Sequence, residues 1–420
     1  MTTEAAPDAG EGAERSAVEV FATEGFGVEN LPYGSYATAT AAACPGVRLG
    51  DRVISLRALA VVTSGSSWAV PPRVMDALAG PGLDALLAAG HTVWTELRTW
   101  LQAFLAADGS ASVVEIVSTP LSEVTLRLPF TVADYVDGYA SEHHASNVGR
   151  IFRPDQPPLL PNWKRLPVCY HGRAGTVVVS GTPVRRPSGL RPEPDGVPSF
   201  GPSRRLDFET ELGFVLGGSA PEGRITLEDA EQHLFGAVIL NDWSARDVQA
   251  FEYVPLGPYL GKSFATSISP WVVPFAALEA ARTSAPERDV PLAPYLDDSA
   301  DPWGLDVTVR TFVEGEQLSE SPAAALYWTP RQFVAHMTIN GAGLRPGDLI
   351  GTGTISGPER GQRGSLLELS WAGKEPVRLS DGREFAFLQD GQTVTMTATA
   401  PGPGGTLISF GEVSGRVIAA

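Results

Sequence analysis

Cysteine is almost missing from this chain: Cys44 and Cys169 are the two in 420 residues. Two thiols in so long a chain make no disulfide framework, which agrees with a reducing compartment and makes the cytoplasm the expected location. No Cys-x-x-Cys or His-Glu-x-x-His spacing occurs, and six histidines are present in all, so the familiar zinc sites are excluded. Long apolar runs are missing too. None approaches the ~20 residues of a membrane helix, and the start from Met1 to Ala6 has neither the basic nor the apolar region of a signal peptide. Positive charge is scarce: 31 Lys and Arg stand against 48 Asp and Glu, a formal net charge of −17. That balance opposes nucleic acid and anionic membrane as partners, since both need basic patches. It also repels anionic substrates unless local cations overcome the field, and Arg153, Arg173, Arg246 and Lys262 are the candidates.

What the chain does have is ordinary globular composition, 43% apolar, with length enough for two domains and a large core. Residues 1–16, rich in Ala, Gly, Glu and Asp, read as a disordered tail, with structure starting near Phe21. Short β-like pieces follow, among them Ala37-Thr38-Ala39 and Arg52 to Leu56. From Leu83 to Ala106, apolar residues recur at three- and four-residue steps, which predicts a helix whose stripe is core. Alternation at Val124, Leu126 and Leu128 stops at Pro129, and the domain boundary is expected here, giving domains at 17–122 and 123–420. Beyond it lie glycine, proline and short apolar runs such as 176–180, 306–310 and 393–397. Helical pattern is confined to Leu227 to His233 and Pro330 to Met337, so the second domain is mostly β. The proline-rich segments 154–161 and 183–202 read as loops over a sheet surface.

The informative feature is acidic. In Asp207-Phe208-Glu209-Thr210-Glu211 the carboxylates alternate, so in one strand all three share a face, where they need either bulk water or a cation. The next run, Leu212 to Leu216, is apolar, as an interior strand is, and a desolvated anion must be paired or metal-bound. Phe235 to Leu240 reads as a second buried strand, with Asp242 just past its end. Asp137 precedes the pair His143 and His144. Carboxylates without thiolates or clustered imidazoles suit a hard cation, Mg²⁺ or Ca²⁺. The residues alone do not choose between His143 and His144 as a base. Between Asn241 and Phe264, Asp242, Arg246, Gln249, Tyr253 and Lys262 crowd around Pro255-Leu256-Gly257-Pro258, more donors than a structural turn needs.

Five segments carry a resemblance: Tyr170-His171-Gly172-Arg173, Asn241 to Asp247, Glu252 to Pro258, Gly261-Lys262-Ser263-Phe264 and Gly353-Thr354-Ile355-Ser356-Gly357. Together with Phe26 to Gly34 they resemble the fumarylacetoacetase family from near Phe26 to the C-terminus. The resemblance implies a mixed, mostly β fold: a small N-terminal β-rich, SH3-like domain with a helical segment, then a large mostly β catalytic domain. It implies a cytosolic, homodimeric hydrolase of the dicarboxylate diketone 4-fumarylacetoacetate, yielding fumarate and acetoacetate at the end of tyrosine and phenylalanine catabolism. By the same resemblance, Asp137, Glu209, Glu211 and Asp242 bind Mg²⁺ or Ca²⁺, with Lys262 and Thr266 at associated positions. An ammonium cannot ligate a cation, so Lys262 is expected to contribute its carbonyl. His144 matches the base and Glu368 its partner; Arg246, Gln249 and Lys262 match the oxyanion donors; Tyr139, Arg153, Tyr170, Gln249, Tyr253 and Thr354 match substrate contacts. Asp207 has no counterpart role. His143, Gly138 and Cys169 depart from the family pattern at the pocket rim. The rival readings are a decarboxylase, hydratase or acylpyruvate hydrolase of the same superfamily, and an inactive Ca²⁺-stabilised binding module.

Overall fold

The computed structural model describes residues 15–220 and 224–420, so residues 1–14 of the expected tail lie outside the described residues. Of its last two residues, Ser16 accepts from the Glu19 N–H and caps a first helix at Ala17–Phe21. Among the described residues a 13-stranded sheet runs through the molecule, joined by a five-stranded sheet and several two-stranded ribbons. The N-terminal strands Tyr33–Ala37, Cys44–Leu49, Arg52–Ser55 and Ser118–Pro120 are antiparallel neighbours, and Thr125–Arg127 pairs back onto Tyr33–Ala37. This edge is continuous with the rest, because Tyr33 and Gly34 pair with Val272 and Trp271 of Trp271–Pro274.

The centre of the sheet is built from strands that are apolar on both faces. In Thr210–Leu216, Leu212, Phe214 and Leu216 enter one core while Val215 enters the other. In Leu234–Asp242, Ala237 and Ile239 take the first core and Val238 and Leu240 the second. Successive side chains point to opposite faces, so burial on both sides removes the polar alternation and leaves a continuous apolar run. The second core is completed by the N-terminal helices, through Leu86, Leu87, Trp94, Leu97 and Leu101.

Several sequence expectations are corrected. The single helix over 83–106 is two, Asp84–Ala89 and His91–Leu105, because Gly90 adopts φ 81°, which a right-handed helix does not admit. The early strand is Tyr33–Ala37, and Thr38 and Ala39 lie past its end, where the Thr38 hydroxyl accepts from the Thr40 and Ala41 amides. Segment 183–202 contains a hairpin, Ser188–Arg191 against Ser199–Pro202. The helix over Leu227 to His233 shrinks to a short 3₁₀ turn, Ala230–His233, whereas Pro330–Thr338 forms a capped helix. Asp207 to Glu211 is not one strand: Leu206–Asp207 pairs with Ser244–Ala245, Thr210–Leu216 starts anew, and Glu209 makes an isolated bridge to Ser365.

Candidate metal centre and catalytic cavity

Sheet register explains why distant acids meet. Leu234–Asp242, Thr210–Leu216, Asp348–Gly351 and Asp134–Gly138 are successive neighbours, followed by Cys169–His171. Glu211 lies opposite Leu240, Gly213 opposite Gly351, and Gly351 opposite Asp137. Counting by twos from the residues of the second core, Val215 leads to Glu211, Leu240 to Asp242, Tyr135 to Asp137 and Leu349 to Gly351. The acids therefore sit on one sheet face, just past its apolar stretch. Gly351 lies between two of them: a Cβ there would come within 2.8 Å of Asp137 Oδ1 and 2.9 Å of Glu211 Oε2. Glu209, in the break before its strand, completes the group. One ligand atom from each of Asp137, Glu209, Glu211 and Asp242 lies within 4.8 Å of the others, and all four residues are buried.

This concentration of charge shows in their proton affinities. Burial, then the Asp242 charge, pushes the Asp137 carboxyl up to about 8. Burial and the charges of Asp137 and Asp242 raise Glu211 well above the carboxylate range, and burial raises Asp242 against the pull of Lys262. Glu209 goes the other way: burial opposes its ionisation, but Lys262 and then Arg246 outweigh it and hold the carboxyl far down. Asp137 Oδ1 and Glu211 Oε1 are buried without a hydrogen-bond partner among the described residues. Orphaned carboxylate oxygens in a desolvated cluster are costly, and a hard cation satisfies them. The donor set thus fits a divalent ion.

The Lys262 ammonium sits inside this cluster, on Glu209 and at 2.8 Å from Asp242 Oδ2. The side chain thus neutralises the acids directly. Thr266 donates to Asp242 Oδ1 at 3.1 Å, and Tyr170 to Asp242 Oδ2 at 3.1 Å.

The helix Glu142–Phe152 separates the two histidines. Its N-cap Ser141 accepts from the His144 N–H, and the helix turns His144 inward to 3% exposure and leaves His143 half-buried. His144 Nδ1 lies 2.7 Å from Glu368 Oε2, and Nε2 lies 3.9 Å from Glu209 Oε1. Glu368, on Leu366–Leu369, also receives Asn147 Nδ2 (2.9 Å), Ser356 Oγ (3.0 Å) and Ser365 Oγ (2.8 Å). Burial opposes its charge, but His144, Asn147 and Ser365 bring it down to about 2. Sequence reading missed Asn147, Ser356 and Ser365; the one available signal is that Asn147 follows His144 by three, on the same helix face. Arg246 is wholly buried, with Nη1 at 2.7 Å from Glu209 Oε1 and 3.2 Å from Gln249 Oε1, and its Nη2 has no partner among the described residues.

These groups open into a cavity of about 380 Å³ whose other walls are Tyr139, Arg153, Tyr170, Gln249, Tyr253 and Thr354. Every sequence-predicted catalytic and substrate-contact residue lines it except Glu368, which lies behind His144. Arg153 Nε and Thr354 Oγ1 are buried without partners among the described residues, so donors remain free for a ligand. Arg173, a candidate local cation, is exposed and lies outside the lining, as does His143.

No serine or cysteine side chain among the described residues hydrogen-bonds the His144 ring, so the arrangement suits water activated by an imidazole beside a hard cation: a hydrolase of the carboxylate-metal class. Residues 134–418 match the family described as Fumarylacetoacetate (FAA) hydrolase C-terminal, and residues 29–129 match Fumarylacetoacetase N-terminal. The chain belongs to the fumarylacetoacetase family. It is 41% identical to fumarylacetoacetase of Bos taurus over 419 residues, covering 96% of this chain and 99% of that one. Identity is 42% with that of Caenorhabditis elegans, covering 97% and 99%, and 40% with that of Homo sapiens, covering 94% and 96%. The fold is shared with the fumarylacetoacetate hydrolase of psychrophilic Exiguobacterium antarcticum, at TM-score 0.53 and 17% identity over 93% of this chain and 100% of that one. No helix among the described residues is long and apolar enough to cross a membrane.

Proposed function

We propose that the chain hydrolyses a carbon–carbon bond of 4-fumarylacetoacetate to fumarate and acetoacetate, as the last step of tyrosine and phenylalanine catabolism, working as a cytoplasmic homodimer. Residues 17–122 are read as its N-terminal domain and 123–420 as its catalytic domain. The observation that carries this reading is the convergence of four buried carboxylates on one point beside the His144–Glu368 pair.

Asp137, Glu209, Glu211 and Asp242 would hold Mg²⁺ or Ca²⁺, with Thr266 and Lys262 setting the orientation and charge of Asp242 and Glu209. When bound, the ion supplies positive charge that polarises the oxygens of a 1,3-dicarbonyl. The protein's own groups do the rest. Glu368 accepts the Nδ1 proton of His144, leaving Nε2 free to take a proton from water. The water oxygen adds to the ketone carbon next to the fumaryl group. Arg246 through Nη2, Gln249 and Lys262 would donate to the oxyanion. Collapse of that adduct breaks the carbon–carbon bond, the electron pair passes to the acetoacetate enolate, and His144 returns its proton to the carbon. Arg153 would grip a terminal carboxylate with its planar fork, and Tyr139, Tyr170, Tyr253 and Thr354 the adjacent oxygens.

The test is an assay of the purified chain on 4-fumarylacetoacetate beside simple acylpyruvates, with separate quantitation of the two products. Equimolar fumarate and acetoacetate support the reading. Preference for acylpyruvates moves the chain to another activity of the superfamily, and no turnover with either cation moves it to a binding module.

A further inference from the structure

Asp207 has no part in the chemistry above, yet it is fully buried and bonded on both oxygens. Oδ1 accepts the Phe208 N–H at 2.8 Å and the Leu366 N–H at 2.7 Å. Oδ2 accepts Arg246 Nε at 2.8 Å and the Leu367 N–H at 3.0 Å. These donors belong to two separate parts of the site. Arg246 is the guanidinium whose Nη1 meets Glu209 and whose Nη2 is left free. Leu366 and Leu367 open the short helix that presents Glu368 to His144. With Nε and Nη1 each fixed on a carboxylate, the direction of Nη2 is fixed too.

The residue type matters. Each oxygen of Asp207 faces two donors, so an isosteric asparagine has no good orientation: either way its NH₂ meets two N–H groups. A carboxylate alone satisfies all four.

Resting on the hydrolase reading above, we propose that Asp207 is a positioning residue that locks Arg246 and the turn carrying Glu368 into one register, so that oxyanion donor and base partner are held relative to each other. It lies outside the cavity lining; it acts through Arg246, which lines the cavity, and through Glu368, which holds His144.

The test compares wild type, D207N, R246Q and D207N/R246Q in 4-fumarylacetoacetate hydrolysis, with divalent-cation binding measured on each by calorimetry. Wild-type turnover is the control for the underlying reading, and its absence sinks that reading rather than this proposal. Given wild-type turnover, D207N is expected to lose roughly 10²-fold in kcat, as when an oxyanion donor is removed, while KM and cation affinity stay within about threefold. In the R246Q background the same substitution should cost at least about fivefold less, since part of its route is already gone. Should D207N not fold, D207S, which leaves room for water, gives the same readouts. A folded variant with kcat within about threefold of wild type overturns the proposal. So does a fall in cation affinity that matches the fall in kcat, which would assign Asp207 to the metal centre.

Discussion

His144 is held between two carboxylates with different duties: Glu368 fixes its Nδ1 side at 2.7 Å, and Glu209 lies 3.9 Å from Nε2. Replacing it by alanine should lower kcat by 10²-fold or more, on the order of what a general base contributes, while cation binding is kept. H143A, half-buried and outside the cavity, should stay within about threefold of wild type. Paired turnover and calorimetric measurements on the two variants check this, and the reverse pattern would reassign the base. By residue type alone the two histidines are equivalent and the resemblance points to His144; in the structure the helix capped by Ser141 turns His144 inward. Asp207 was hidden for a related reason. Alternation placed it with Glu209 and Glu211, but the strand is interrupted between Asp207 and Thr210, and its partners Leu366 and Leu367 lie some 160 positions away. Glu368 as partner of the base was legible only by resemblance, since no local pattern links positions 144 and 368.

Among the elements, the central strands were the most legible, because burial on both faces leaves an unmistakable apolar run in Leu212 to Leu216 and Phe235 to Leu240. Their neighbours in the sheet were not legible, as pairing between Asp348–Gly351 and Asp134–Gly138 joins segments far apart in the chain. Gly351 shows what that pairing is for. Its lack of a side chain lets the carboxylates of Asp137 and Glu211 approach over it, and its φ is not in the left-handed region. G351A should therefore fold but weaken divalent-cation affinity about 10- to 100-fold, the range seen when groups supporting metal ligands are altered. Calorimetric titration of the chelated variant measures this, and unchanged affinity would mean that the acids do not share one ion.

For the molecule as a whole, the buried carboxylate cluster couples stability to pH. Asp137 folds with its carboxyl raised from 3.8 to about 8. Between those values the metal-free folded state keeps a proton that the unfolded chain releases, so stability must fall as pH rises through the window. Glu368, held down at about 2, acts oppositely: its contribution is complete above the ordinary glutamate range and is lost only as pH drops toward 2. The chelated protein should thus lose Tm from about pH 5 to about pH 8, and a divalent cation should restore most of it at the alkaline end by replacing the proton. Thermal scans at several pH values with and without the ion test the sign; a rising Tm in the chelated protein would contradict it. Composition argues against nucleic acid, membrane-spanning helices and zinc frameworks, and the deficit of basic residues is consistent with a site that supplies its own buried cations, Arg246 and Lys262.

The most direct test of the account is a calorimetric titration of chelated protein with Mg²⁺ or Ca²⁺, run beside E209Q and E211Q. The account predicts one divalent ion per chain with proton release on binding, and a marked loss of affinity in both variants. No saturable binding to the wild-type chain, or binding that both substitutions leave untouched, would contradict it.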